Sequence, residues 1–325
     1  MIDVIMMTNY NRNSILPNCG IFNCIERNLK TDKLLIHSTT PDSVIDEAIE
    51  NAMNDNVNRF ILVNSPTAFA KDGIRRSVGI LLYKAKRSIF VQNDYVLLPP
   101  SQCKSGAIKE FADYKGESSD YYGFDELWSI LPATKKERIK RTLVNWNVLT
   151  YRELPYNSYD KRLDRVVYYG SARANRIKPA DKYFNSIEYE LDLSYAPNSP
   201  INKKRFGDYS CNHVPKFENL YESLSQYKAS IILTDDNIPV SFMPNRFYEC
   251  LSTYTVMFFD VGIVPMLKYN HIEGYEDYVV SNDIELGEKL RTMNLPIEAT
   301  IQHHMWSKSL PYLDSIVKGL LYDDE

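Results

Sequence analysis

"RVVYYGSARANR", residues 165–176, decides how this chain is organised. Val166, Val167, Tyr168 and Tyr169 form a short apolar run rich in β-formers, the pattern of a strand buried on both faces. Gly170-Ser171 then breaks the run with a tight turn, and two arginines follow. Downstream the signals alternate. A helix is expected over 179–187, a strand over 188–195, a helix over 217–227, a strand over 229–236, a further helix and strand within 243–260, and a helix over 284–293. Upstream the same alternation has already run once. "IDVIMMT" (2–8), "KLLIHS" (33–38), "RFILVNS" (59–65) and "SIFVQND" (88–94) read as strands, with helices at 21–29, 41–53 and 74–85 between them. Thr40 offers an N-cap and Pro41 a first-turn proline for the second of these helices.

Strands alternating with helices imply right-handed crossovers and mostly parallel, doubly wound sheets. The pattern lapses between about 100 and 160, where "SGAIKEFADYKGESSDYYGFDE" reads as a long loop or lid and "PATKKERIKRTLVNW" as a basic segment. The expected organisation is therefore α/β with two halves, 1–160 and 161–306. The stretch 307–322, "SKSLPYLDSIVKGLLY", reads as one terminal helix despite Pro311.

Composition is that of an ordinary globular chain, with 325 residues, 44% hydrophobic and 25% charged. The longest apolar run, "TVMFFDVGIVPML", is interrupted by Asp260 and Pro265 well before the roughly 20 residues of a membrane span. The N-terminus lacks the basic region and cleavage site of a signal peptide. Five cysteines with no CxxC pair favour reduced thiols and argue against zinc. A net charge of −4 argues against coating nucleic acid by charge alone, although a local basic face is compatible with it.

In open α/β sheets ligands bind outside the carboxyl ends of the strands. Three stretches are placed to face such a site. The turn at Gly170 and Ser171 frees backbone N–H groups, and Arg173 and Arg176 just beyond can neutralise a phosphate or diphosphate; an ordinary turn near arginines is the plainer reading. In "MPNRFYECLSTYTVMFFD" (243–260), Arg246 and Glu249 share one helix face. A surface ion pair is the alternative, but Phe247, Cys250, Leu251 and the following "TVMFF" are apolar. A carboxylate there can accept both hydroxyls of a ribose while the guanidinium holds a diphosphate. Asp94 closes a buried strand, where an acid either caps a turn or takes a proton from an acceptor hydroxyl.

In this order, "FILVNS", "SIFVQNDYVLLPP", "VVYYGSARANR", "ASIILTDD" and "PNRFYECLSTYTVMFFD" resemble the DNA β-glucosyltransferases of T-even bacteriophages, which are GT-B enzymes. The resemblance implies two Rossmann-like domains facing across a cleft, with the terminal helix 307–325 joining the first. It implies an inverting transfer from a UDP-sugar, glucose or a pentose such as arabinose, to the hydroxymethyl group of a modified pyrimidine in double-stranded DNA. Asp94 matches the catalytic base. Arg173, Arg176 and Arg246 match phosphate ligands, Gly170 and Ser171 the turn beneath them, and Glu249 the ribose ligand. The backbone from Phe217 to Tyr221 matches the segment that reads the uracil edge.

The same likeness implies a monomer with no membrane attachment, acting in the cytoplasm of an infected bacterium. No resident metal is expected, although Mg2+ can aid product release, with "TDD" (234–236) as a candidate ligand set; surface carboxylates are the plainer reading. The stretches 71–76, 84–87 and 135–141 are candidates for DNA phosphate contact or, equally, solvated helix faces. The loop at 104–123 is a candidate wedge for extruding the acceptor base. A polysaccharide- or small-molecule-directed GT-B enzyme and a catalytically silent relative are the rival readings.

Overall fold

The computed structural model describes residues 3–8, 17–37, 40–54, 57–63, 80–81, 84–92, 125–129, 140–197, 199–235 and 240–322. The chain divides into two compact units, residues 1–149 with 312–325, and residues 150–311. The boundary falls about ten residues before the sequence-based one. The segment 150–162 belongs to the second unit because it is bonded there: the Arg152 N–H donates to Ser252 Oγ at 2.7 Å, and the Tyr221 hydroxyl donates to the Thr150 carbonyl.

In the first unit the described strands are β1 (Val4–Met7), β2 (Lys33–Ile36), β3 (Arg59–Val63), β4 (Arg87–Gln92), β5 (Glu126–Ser129) and β6 (Lys140–Leu143). They form a parallel sheet in the order β2-β1-β3-β4-β5-β6. Helix α1 (Pro17–Asn28) links β1 to β2, and α2 (Asp42–Met53) links β2 to β3. One face of the core packs Ile5, Met7, Phe60, Leu62 and Phe90 against Ala48 and Ala52 of α2, where small residues let the helix lie close to the sheet. Strands β5 and β6 lie in the span read from sequence as loop and basic segment.

In the second unit β7 (Leu163–Ala172) is followed by α3 (Ile177–Ala180), β8 (Leu191–Pro197), α4 (Pro200–Gly207), β9 (Asn212–His213), α5 (Leu220–Leu224) and β10 (Tyr227–Ile232). Then come α6 (Asn245–Thr253), β11 (Val256–Asp260), α7 (Val264–Tyr269), β12 (Val279–Val280), α8 (Asp283–Thr292) and α9 (Leu295–Ser307). The sheet order is β12-β11-β10-β7-β8-β9, all parallel. The chain winds outward from β7 through β8 to β9, then returns to place β10 on the other side of β7. The β7/β10 pair is thus the topological switch point, the place where diverging crossovers leave a crevice at the carboxyl ends of the strands.

Three expected helices are corrected. Those at 179–187 and 217–227 shorten to α3 and α5, and the terminal helix is two: α9 ends at Ser307, and α10 (Leu313–Tyr322) begins beyond Pro311. Proline in the interior would remove a helical hydrogen bond and clash with the preceding turn. No helix among the described residues is long and apolar enough to cross a membrane.

Candidate active site

The switch-point crevice of the second unit is built from four segments: the end of β7, the residues after β10, the start of α6 and the residues after β11. Strand β7 carries the buried run Val166–Tyr169 and continues, paired with β8, through Gly170, Ser171 and Ala172, so the turn expected there from sequence is corrected to the last residues of the strand. Gly170 adopts φ +131°, a conformation that L side chains rarely take. A β-carbon there would lie 1.8 Å from Nη2 of Arg246, so a side chain at this position is strained by the backbone and displaces the guanidinium.

Arg246 comes from the first turn of α6, a helix whose residues from Arg246 to Thr253 are all buried. Its Nε donates to the Tyr169 carbonyl, and its guanidinium lies 4.8 Å from the ring centre of Tyr168. Glu249, one turn later on the same face, accepts from the Tyr169 hydroxyl at 2.9 Å. Both side chains are 8% exposed. Arg246 and Glu249 thus meet on the end of β7, over Gly170, and not on an outer surface. Burial pushes the Glu249 carboxyl above its ordinary range, opposed by the Tyr169 hydrogen bond and by Arg246. Phe217 approaches the same strand end, its ring 6.0 Å from that of Tyr169.

The two arginines after β7 are placed differently. Arg176 is 7% exposed and already engaged: Nε donates to Asp235 Oδ2 at 3.1 Å, and Nη1 donates to the Tyr168 hydroxyl at 3.3 Å and the Ser171 carbonyl at 3.2 Å. Arg173 is more open, with Nη1 4.0 Å from the same Asp235 oxygen. Arg176, Thr234, Asp235, Arg246, Gly262 and Met266 line a cavity of about 140 Å³. Two guanidinium groups therefore wall a small pocket, with Asp235 offsetting the charge of Arg176 and Arg246 left as the group suited to an anion.

Residues 234 and 235 do not fit a divalent cation. Asp235 is taken by Arg176, and the Thr234 hydroxyl donates to Asp260, which also accepts from Lys182 Nζ at 2.9 Å and the Tyr183 hydroxyl at 2.8 Å. Among the described residues no group of three or more His, Cys, Asp or Glu can hold a metal. Asp236, Asp94, the stretch 71–76 and the loop 104–123 lie outside the described residues. Of the other basic stretches, Arg87 is used internally, donating to Glu126 at 2.6 and 3.0 Å and to the Leu320 carbonyl at 3.0 Å. Lys140 is exposed, 3.9 Å from Glu126.

Tyr169 and Asp235 organise this site and are not singled out by the sequence. Tyr169 reads there as one more apolar residue of a buried strand. Asp235 draws attention only as a metal candidate.

No family model and no curated protein sequence matches the chain. Solved structures do. The β-glucosyltransferase of phage T4 in complex with UDP-glucose matches with a TM-score of 0.68 at 16% identity, over 99% of both chains. A structure of that DNA modifying enzyme in the presence and absence of UDP-glucose gives 0.66 at 15% over the same shares. An O-GlcNAc transferase mutant from Thermobaculum terrenum gives 0.55 at 8%, over 99% of this chain and 66% of that one. The chain has the GT-B fold of these glycosyltransferases, as the sequence resemblance implies.

Proposed function

We propose that the chain is an inverting UDP-sugar-dependent glycosyltransferase whose acceptor is the hydroxymethyl group of a modified pyrimidine in phage DNA. The observation that carries the donor half is the convergence of Arg246 and Glu249, both buried, on the glycine end of β7 at the switch point. The fold shared with the DNA modifying β-glucosyltransferase of phage T4 supports the acceptor half.

In this reading Glu249 accepts the ribose hydroxyls, while Arg246, Arg173 and the end of β7 at Gly170 and Ser171 hold the diphosphate. Arg176, paired with Asp235, adds a fixed guanidinium dipole but no net charge behind it. The diphosphate gains negative charge as the sugar leaves, so cations already in place stabilise the transition state more than the ground state. Asp94 takes the proton of the acceptor hydroxyl as it attacks C1 from the face opposite UDP, and the configuration inverts. The enzyme acts as a monomer in the cytoplasm of the infected host.

Incubation with UDP-glucose or UDP-arabinose and duplex DNA carrying 5-hydroxymethylcytosine or 5-hydroxymethyluracil, followed by digestion to nucleosides and mass analysis, tests this. A nucleoside heavier by one sugar is the expected product. Asp94→Ala abolishes it with UDP affinity held within about threefold. UDP-sugar hydrolysis without any modified nucleoside would redirect the acceptor to a polysaccharide or small molecule.

A further inference from the structure

Resting on the donor-site reading above, we infer that Tyr169 is the positioning residue that joins the two halves of the nucleotide site, setting its selectivity for ribose over deoxyribose. One residue serves both neighbours. Its main-chain carbonyl accepts from Arg246 Nε, and its phenol donates to Glu249 Oε2 at 2.9 Å. The cation for the diphosphate and the carboxylate for the sugar are therefore both anchored, at their functional ends, to one residue of a strand. Arg246 and Glu249 belong to another element, α6.

The phenol has a direction imposed on it. Tyr169 is 6% exposed, and its oxygen also lies 3.7 Å from Cys250 Sγ. Burial pushes the Cys250 thiol up to about 12 and the Tyr169 phenol well above its ordinary value, so both stay protonated. The acceptor available for the phenolic proton is Glu249, and the Cys250 thiol can donate back to the tyrosine oxygen. A carboxylate held this way keeps one oxygen occupied and leaves the other to a diol. Tyr221 of α5, whose phenol is also raised in part by Glu249, and Arg246 are the other charged or titratable groups that act on this carboxyl. Removing the Tyr169 hydroxyl takes away a contact that favours the ionised form, so the pH below which ribose binding fails moves upward.

The test uses the full chain and isothermal titration with UDP, 2′-deoxy-UDP and inorganic pyrophosphate across pH. In the wild type UDP binds more tightly than 2′-deoxy-UDP. Tyr169→Phe keeps the ring and the carbonyl, so pyrophosphate affinity is expected to stay within about twofold while UDP weakens on the order of tenfold, the loss of one hydrogen bond to a charged group. The preference over 2′-deoxy-UDP shrinks, and the acid limb of UDP binding shifts to higher pH. In a Glu249→Gln background the further change to phenylalanine has no effect on UDP.

A merely structural role would lower all three affinities together, which overturns the inference, as does a Tyr169→Phe protein indistinguishable from wild type. Wild type that binds none of the three overturns the donor-site reading itself. Tyr169→Phe melting within a few degrees of wild type confirms that the comparison is between folded proteins.

Discussion

Gly170 shows at the residue scale how backbone conformation and charge placement are made to coincide. At φ +131° an alanine is strained by roughly 1–3 kcal/mol. Its methyl would also occupy the space of the Arg246 guanidinium, which is a flexible group and can swing away. Gly170→Ala is therefore expected to fold, melt at a lower temperature, and bind UDP at least about tenfold more weakly, because displacing a buried guanidinium removes a charge-assisted contact. Calorimetric titration checks this, and unchanged UDP affinity would mean that Arg246 does not use that position. The Arg246–Glu249 pair was legible in the sequence because polar groups stood inside apolar flanks, whereas the turn expected at Gly170-Ser171 is a strand that runs on to Ala172 beside β8. Arg176 was legible as an arginine just beyond a buried strand but not as half of a buried ion pair, since Asp235 lies 59 residues away in the chain and reaches it only through the β7–β10 pairing.

Helix α6 carries the site at its start and is held at its end. Its last residue, Thr253, is followed by Tyr254 in the left-handed conformation, φ 54°. The terminal carbonyls are met by Arg162, whose Nη2 donates to Thr253 O and Nη1 to Tyr254 O, each at 2.9 Å, with a further bond to Tyr227 O at 3.3 Å. A cation is favoured at this end of a helix dipole, and the fork satisfies acceptors that would otherwise be buried alone. Arg162→Ala should lower the urea unfolding free energy by about 2–4 kcal/mol, and Arg162→Lys should restore only part of it, because an ammonium cannot span the same carbonyls. Full rescue by lysine would reduce the role to charge alone.

Elements with strong internal periodicity, such as β1, β3, α2 and β7, were readable from the chain itself. β5 and β6 were not. Each has four residues and carries charge, Glu126 in one and Lys140 and Arg141 in the other, so neither shows the apolar run that marks a buried parallel strand. β5 is placed by pairing with β4 and β6 by pairing with β5, and Glu126 is held in the sheet by Arg87.

For the molecule as a whole, the last helix returns the chain to the unit in which it began. α10 follows all of the second unit in sequence yet belongs to the first. Asp314 at its start accepts from Arg27 Nε at 2.7 Å and Nη2 at 3.0 Å and from Asn28 Nδ2 at 2.6 Å, all on α1. At its end the Tyr322 hydroxyl accepts from the Lys30 N–H at 2.7 Å, and its ring lies 5.2 Å from the Arg59 guanidinium. Two clasps a helix length apart hold one apolar face, with Leu313, Val317 and Leu321 buried. The Arg27 hydrogen bond, helped by Asn28, holds the Asp314 carboxyl below its ordinary 3.8. A depressed carboxylate contributes stability above its unfolded value and loses it as pH falls through the folded one. Because the Arg27 guanidinium that holds it is more than half exposed, solvent screening keeps its share small.

Asp314→Ala is therefore expected to lower Tm by roughly 2–4 °C at neutral pH, with the difference from wild type vanishing in strong acid. Hydrogen exchange should rise in α1 and α10 and remain unchanged across β7, β10 and α6, and UDP affinity should stay at the wild-type value. Faster exchange spread evenly over both units would show that the terminal helix supports the whole chain and not the first unit alone.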